Sequence, residues 1–133
     1  MQDGQIGTAA IAASLPAFFM TFNLLLLNEF PDEKADREGG RRNLVILLGR
    51  QSAAKVYAGA ALGPAFVLVI SSAAGYLPWL SLAATLPSLA LVKPLTWALK
   101  DPESAISDSA LAANVAWNLM TNLVLAVALA FLL

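Results

Sequence analysis

The sequence predicts an all-α fold, a bundle of about four helices that cross a membrane. Apolar residues make up 59% of the 133 residues and charged residues 13%, whereas soluble domains average roughly 45–50% and about 25%. The apolar residues form four long stretches with the charges gathered between them, and the mean hydropathy is +0.70. We therefore expect residues 1–133 to form a single membrane domain.

Each apolar stretch has about the length of roughly 20 residues that a helix needs to cross the hydrocarbon core. We expect these helices at about residues 6–27, 54–74, 77–96 and 109–133. Residues 28–52 are then a long loop between the first two helices. Pro16 predicts a kink in the first helix, and Pro87 and Pro94 interrupt the third.

Two patterns inside the helices predict packing between them. Gly59 and Gly63 have the four-residue spacing that lets helices approach closely in a membrane. Asn114, Asn118 and Asn122 form a stripe along the last helix. Because an amide at membrane depth needs a partner, this stripe predicts hydrogen bonds to neighbouring helices.

The basic residues predict the orientation in the membrane. If the helices alternate in direction, all eight fall on one side: Lys34, Arg37, Arg41, Arg42, Arg50, Lys55, Lys93 and Lys100. Cytoplasmic segments are enriched in Lys and Arg, so the loop 28–52 is expected to be cytoplasmic. Within it, the run 43–50 is mostly apolar but too short to span, and with Arg42 and Arg50 at its ends it favours an interfacial or capping segment.

The loop 28–52 carries a pattern that indicates metal binding. Asn28, Asp32 and Asp36 are four residues apart, a spacing that places their oxygens on successive turns of one helical stripe. Carboxylate and amide oxygens suit Mg²⁺, which is usually shared with substrate phosphates. Pro31 disturbs a regular helix here and indicates a kink or a new helix start.

Four cations lie close to these oxygens, namely Lys34, Arg37, Arg41 and Arg42. Arg grips phosphate through two parallel hydrogen bonds, and Lys supplies a compact charge. Acids and bases together predict a magnesium–diphosphate site at the membrane surface. The alternative, a solvated loop that only sets orientation, remains open on spacing alone. The chain has neither Cys nor His, which excludes thiolate chemistry and a histidine base.

The same segment resembles the second aspartate-rich motif of the UbiA superfamily of membrane prenyltransferases. The residues that carry the resemblance are Asn28-Glu29-Phe30-Pro31-Asp32, Asp36, Gly39-Gly40-Arg41-Arg42-Asn43-Leu44 and Leu48-Gly49. Ser14-Leu15-Pro16 also fits the helix that leads into the motif. The resemblance is specific over roughly residues 5–60 and is most similar to the branch of 1,4-dihydroxy-2-naphthoate polyprenyltransferases.

The resemblance implies an activity and a set of residues. A prenyltransferase would transfer a polyprenyl group from a lipid diphosphate to an aromatic acceptor with Mg²⁺, as in quinone biosynthesis. Asp32 and Asp36 match the metal-binding, catalytic aspartates, and Asn28 extends the metal site by one turn. The implied diphosphate contacts are Lys34, Arg37, Arg41 and Arg42.

The chain departs from the family pattern in one respect. Family members resemble a bundle of about nine helices with a further motif of the type NxxxDxxxD, and this sequence contains no second motif of that kind. It therefore resembles the second, C-terminal half of a prenyltransferase and is expected to be incomplete as an enzyme alone. The alternative is a non-catalytic small membrane protein or subunit that keeps the motif as a binding or assembly surface.

The expected partners follow from the same resemblance. They are the lipid bilayer, a polyprenyl diphosphate, an aromatic acceptor, and an N-terminal half supplied by a parent chain or a subunit. No nucleic-acid partner is expected. The predicted location is the cell inner membrane.

Overall fold

The structure is a computed structural model that describes the backbone of residues 2–131 and the side chains of residues 7–131. Within that range the chain is helical and contains no strand. The elements are α1 (Gln2–Glu38), α2 (Leu44–Leu48), α3 (Arg50–Ala73), a 3₁₀ helix (Trp79–Leu91), α4 (Val92–Lys100) and α5 (Asp108–Ala130).

In the part of the chain that the structure describes, four helical segments are long and apolar enough to cross a membrane. They are Gly7–Glu38, Arg50–Ala73, Trp79–Lys100 and Asp108–Ala130. The predicted all-α bundle of about four membrane-spanning helices is therefore confirmed. The last two residues of the fourth predicted helix, 132 and 133, lie outside the described part of the chain.

The first helix is longer than the sequence predicts. We expected it to end near residue 27, but α1 continues through Pro31 to Glu38 and takes up the first part of the predicted loop. A proline removes one helical hydrogen bond and crowds the preceding turn. Contacts from the start of α2 and from Arg50 reach α1 on both sides of Pro31, at Glu29 and Phe30 before it and at Glu33 and Asp36 after it.

The third span differs from a regular α-helix in its first part. Residues Trp79–Leu91 wind as a 3₁₀ helix, and only Val92–Lys100 is α-helical. Pro87 lies inside the 3₁₀ helix and cannot donate the backbone hydrogen bond that an α-helical turn would need. Thirteen residues is long for this geometry, which rarely exceeds about four residues.

The end of the bundle that carries the predicted motif has the largest buried side chains. The core there includes Phe30, Tyr57 and Trp117, which are at most 2% exposed. The opposite end is packed by smaller side chains such as Ala9, Ala12 and Ala84, together with Leu68 and Leu125. The motif therefore stands on the more heavily packed end of the molecule.

The asparagine stripe makes contacts between helices at two of its three positions. Asn114 accepts a hydrogen bond from the Tyr57 hydroxyl at 2.7 Å and so joins α5 to α3. Asn118 Nδ2 donates to the carbonyl of Met20 at 3.2 Å and joins α5 to α1. Asn122 is exposed, and among the described residues its side chain bonds only to Asn118 on its own helix. The prediction of interhelical bonding is confirmed for Asn114 and Asn118 and is wrong for Asn122.

One glycine of the predicted pair makes a close approach. A Cβ atom at Gly63 would lie 3.0 Å from the ring of Phe19 on α1. Gly59 has no such neighbour within 4 Å. The packing role predicted for both glycines therefore holds at Gly63, where α1 and α3 meet.

Candidate functional site

The predicted metal ligands occupy the last three turns of α1, and two of them are open. Asn28 and Asp32 are exposed, and the structure gives neither side chain a hydrogen bond or an ion pair within residues 7–131. Residues four apart are turned by about 40° around an α-helix. These two oxygen-bearing side chains therefore lie near one another on the uncovered side of α1.

Asp36, the third predicted ligand, is half-buried and has a partner. Its Oδ2 atom accepts a hydrogen bond from Asn43 Nδ2 at 2.9 Å. Its backbone carbonyl accepts from the amide of Arg41 at 2.7 Å, which closes the turn after α1. Gly40 in that turn has a φ of 77°, a conformation that favours glycine. Asp36 is thus held at the edge between the open side of the helix and the side covered by α2.

The four predicted diphosphate contacts are all exposed at this end of α1 and in the turn that follows: Lys34, Arg37, Arg41 and Arg42. Arg37 forms a loose ion pair with Glu33 at 3.8 Å while 64% of its side chain stays exposed. Such a pair is weak and strongly screened by water. In the region that the structure describes, Lys34, Arg41 and Arg42 have no ion pair. All four cations are therefore available to a ligand.

Glu29 and Asn43, which the sequence analysis did not assign to the site, tie α2 to α1. Glu29 Oε2 accepts a hydrogen bond from the backbone amide of Leu44 at 2.9 Å. Asn43 Oδ1 accepts from the amide of Ile46 at 2.9 Å and so caps the start of α2. Unpaired amides at a helix start need such acceptors. Glu29 and Asn43 therefore fix α2 against the motif helix.

Arg50 is a second residue that the sequence analysis did not assign, and it makes the most contacts of any charged side chain here. Its Nε donates to the carbonyl of Pro102 at 2.8 Å and Nη2 to the carbonyl of Ser104 at 2.9 Å. Nη1 lies 3.3 Å from Glu33 Oε1 and 3.4 Å from the carbonyl of Phe30. Only 15% of the side chain is exposed. Arg50 thus joins the end of α1 to the loop between α4 and α5.

Aromatic contacts complete this junction. The Arg50 guanidinium lies 5.2 Å from the centroid of the Phe30 ring, and Phe30 meets Trp97 edge-to-face at 4.8 Å. Trp97 Nε1 donates to the Ser104 carbonyl at 3.1 Å. Gly49, with a φ of 84°, forms the sharp turn from α2 into α3 that brings Arg50 to this place.

No sequence signal singled out Arg50, because the sequence predicts the start of this helix near residue 54. The structure makes Arg50 the first residue of α3, where a positive charge faces the positive end of the helix dipole and is unfavourable. An arginine at that position indicates a partner elsewhere in the fold. The identity of that partner depends on residues 17 and more than 50 positions away, which no local pattern reveals.

The donor set on the open side of α1 fits Mg²⁺ chemically. Within residues 7–131 no three His, Cys, Asp or Glu side chains converge into a group that could enclose a metal. Mg²⁺ commonly binds through one or two carboxylates and completes its shell with water and substrate phosphates. Asp32 with Asn28, and Asp36 at the edge, present hard oxygen ligands of this kind, and the same segment of the chain carries four exposed cations.

The comparisons with known proteins bear on the whole chain. A family model described as the UbiA prenyltransferase family matches residues 1–120. The chain belongs to the UbiA prenyltransferase family. The match covers α1 to α4 and the first part of α5, up to residue 120, and so reaches beyond the segment in which the sequence resemblance is specific. No curated protein and no solved structure gives a match.

Membership of the UbiA family establishes the general class of protein to which the chain belongs. UbiA proteins are membrane prenyltransferases in general, and the four apolar helices agree with an integral membrane protein. The predicted superfamily is therefore confirmed.

Proposed function

We propose that this UbiA protein takes part in Mg²⁺-dependent transfer of a polyprenyl group from a lipid diphosphate to an aromatic acceptor. The observation that carries the proposal is the open pair Asn28 and Asp32 at the end of an apolar helix, in a segment that also carries four exposed cations. Family membership favours this enzyme over a non-catalytic membrane protein that keeps the motif only as a binding surface.

The oxygen-bearing side chains of α1 are the proposed ligands of Mg²⁺. Asn28, Asp32 and Asp36 would hold Mg²⁺, which when bound neutralises charge on the diphosphate as it leaves. Asn43 keeps one oxygen of Asp36 occupied through its 2.9 Å hydrogen bond and so limits how that carboxylate can turn. A carboxylate held in this way is prepared to bind at less entropic cost.

The cations would bind the diphosphate itself. Arg41 and Arg42 follow the turn at Gly40, and Lys34 and Arg37 lie on the last turns of α1. Fixed positive charge next to a leaving diphosphate stabilises the transition state in which its bond to the allylic carbon breaks. The aromatic ring then bonds to that carbon and loses a proton. Ionisation is the difficult step, so neither Cys nor His is required.

The membrane supplies the setting for both substrates. A polyprenyl tail partitions into the bilayer, which leaves its diphosphate at the surface where α1 ends. The basic residues favour a cytoplasmic location for this end, and we propose the cell inner membrane as the site of the protein. We further propose a naphthoate-type acceptor in a quinone pathway, based on the resemblance of residues 28–49 to that branch of the family.

A complete site would need further ligands. The sequence contains no second motif of the NxxxDxxxD type, and Asn28, Asp32 and Asp36 fill only part of the octahedral oxygen shell that Mg²⁺ takes. We propose that another membrane segment, joined to this chain or separate from it, covers the open side of α1 and supplies a second aspartate-rich motif.

The proposal is tested by the binding of geranylgeranyl diphosphate to the protein purified from native membranes with its partners. Asp32→Ala and Asp36→Ala should each abolish Mg²⁺-dependent binding and prenyl transfer. Glu38→Gln is the matched control, because it removes an exposed carboxylate from the same end of α1. If both alanine variants bind the diphosphate as well as the unaltered protein does, the assignment is wrong.

A further inference from the structure

Pro31 lies between Asn28 and Asp32, at the point where the motif helix is weakest. Proline offers no amide hydrogen to the carbonyl four residues back, and its ring crowds that carbonyl. A kink there would turn Asn28 away from Asp32. The structure nevertheless keeps one continuous helix from Gln2 to Glu38.

Contacts from outside the helix join its two sides across the proline. Before Pro31, Glu29 binds the amide of Leu44; after it, Asp36 binds the side chain of Asn43. Both contacts come from the start of α2. Because Asn43 and Leu44 are adjacent, this short segment connects the turns of α1 before and after Pro31 along one side of the helix.

Arg50 forms a second link across the same proline, from a different helix. One nitrogen, Nη1, contacts the carbonyl of Phe30 on one side of Pro31 and the carboxylate of Glu33 on the other. The remaining nitrogens, Nε and Nη2, are fixed on the carbonyls of Pro102 and Ser104. The link is therefore anchored to the α4–α5 loop.

The contacts of Arg50 separate it from the exposed cations of the motif. All three of its nitrogens are engaged by protein oxygens, and its side chain is only 15% exposed. It binds Glu33, whereas Asn28 and Asp32 have no partner in the described part of the chain. A lysine could not reproduce these contacts, because its ammonium group lacks the planar fork of arginine.

We propose that Arg50 is a positioning residue, which keeps Asn28 and Asp32 on one continuous helical face by bridging Pro31. This inference rests on the proposed function for its consequence, since the face it maintains is the proposed magnesium–diphosphate site. Arg50 acts through Phe30 and Glu33, and this role requires no contact with the substrate.

Hydrogen exchange of the backbone amides of residues 32–38 tests the bridge without any ligand. Arg50→Met and Arg50→Lys should each raise the exchange rates there by about tenfold, because each removes charge-assisted hydrogen bonds from this turn. Lys55→Met is the matched control: it removes a basic residue from the same helix, where Lys55 is exposed and has no ion pair within residues 7–131. That variant should leave the rates unchanged.

Pro31→Ala distinguishes positioning from a general loss of stability. Alanine restores the missing amide, so Arg50→Met combined with Pro31→Ala should return the exchange of residues 32–38 to within about twofold of the starting rates. The same Pro31→Ala change should not rescue Gly63→Ala, which disturbs the contact with Phe19 instead. If Arg50→Met leaves exchange unaltered, or if Pro31→Ala fails to restore it, the inference is overturned.

Metal affinity provides the second readout. With Mn²⁺ and inorganic pyrophosphate as the probe, Arg50→Met should weaken binding by about tenfold, and the double variant should recover it. Unchanged binding in Arg50→Met would contradict the positioning role. If the unaltered protein, purified from native membranes with its partners, does not bind the probe, the proposed function fails, while the exchange experiment still decides whether Arg50 bridges Pro31.

Discussion

The two sides of α1 differ in almost every respect. The packed side meets α3 at Gly63, binds α5 through the carbonyl of Met20, and ends in Glu33, which is held by Arg50. The uncovered side carries Phe18 and Leu25, 65% and 62% exposed, and beyond them Asn28 and Asp32. One helix thus presents a structural surface and, on the other side, unpaired polar groups.

This difference separates two roles of the charged residues in the motif, namely contacts within the fold and the binding of a ligand. Glu29 and Glu33 have partners within the chain, whereas Asp32 has none in the described region. Polar side chains near membrane depth face protein or water rather than lipid. The uncovered side is therefore where a ligand or another protein segment is expected, and the packed side maintains its shape.

The largest of the following effects is expected from two cations in the turn after α1. Arg41→Gln together with Arg42→Gln should weaken pyrophosphate binding roughly hundredfold, since each arginine can make charge-assisted bonds to the diphosphate. Stability should not change, because both side chains are exposed. Titration with Mg²⁺–pyrophosphate measures the loss, and Lys100→Gln serves as a control. If Lys100→Gln lowers the affinity for pyrophosphate as much, Arg41 and Arg42 do not form a specific diphosphate site.

The packed side should respond to a single methyl group. Gly63→Ala places a carbon 3.0 Å from the Phe19 ring and should destabilise the protein by about 1–3 kcal/mol. Gly59→Ala, where the added carbon meets nothing within 4 Å, should be neutral or slightly stabilising. Unfolding in mixed detergent micelles measures both variants. A destabilisation at Gly59 equal to that at Gly63 would contradict the described packing of α1 on α3.

The edge between the two sides is sensitive to charge at residue 43. Asn43→Asp keeps an oxygen that can cap α2. It also replaces Nδ2, which now donates to Asp36 Oδ2 at 2.9 Å, with a second carboxylate oxygen that repels Asp36. We expect destabilisation by about 1–2 kcal/mol at neutral pH. Asn43→Ser, which keeps a capping oxygen without the repulsion, should cost less. The same unfolding assay measures the destabilisation of both variants. If Asn43→Ser is the more destabilised, the main role of Asn43 is to cap α2 and not to contact Asp36.

The smallest effect is expected where α5 meets the packed side. Asn118→Leu removes the 3.2 Å hydrogen bond to the Met20 carbonyl and should destabilise the bundle by about 0.5–1 kcal/mol. Asn122→Leu is the control on the same helix, since Asn122 is exposed and bonds only to Asn118. If the Asn122 variant proves the more destabilised, the interhelical bond contributes little.

Some of this arrangement could be predicted from the sequence, because the membrane imposes simple rules on length and polarity. The four spans follow from apolar stretches of sufficient length, and the contacts of Asn114 and Asn118 follow from the cost of an unpaired amide in hydrocarbon. The end of α1 could not be placed in this way. Local propensity at Pro31 favours a break, and the contacts that prevent it come from residues distant in sequence.

The site shows the same division. The spacing of Asn28, Asp32 and Asp36 predicted one stripe of oxygens, but it did not reveal that Asp36 is held by Asn43 while the other two remain open. Arg50 belongs by sequence to the same group of basic residues as Arg41 and Arg42. Only the fold distinguishes it, by burying it between α1 and the α4–α5 loop.

The most direct test of these two roles is the affinity for Mn²⁺–pyrophosphate of two matched variants, followed by electron paramagnetic resonance of the bound metal. Asp32→Asn, on the uncovered side, should lower the affinity at least about tenfold and alter the spectrum. Glu29→Gln, one turn away on the side covered by α2, keeps an oxygen that can accept from Leu44 and should change neither. Loss of binding in Glu29→Gln with full binding in Asp32→Asn would contradict the assignment of the uncovered side as the ligand site.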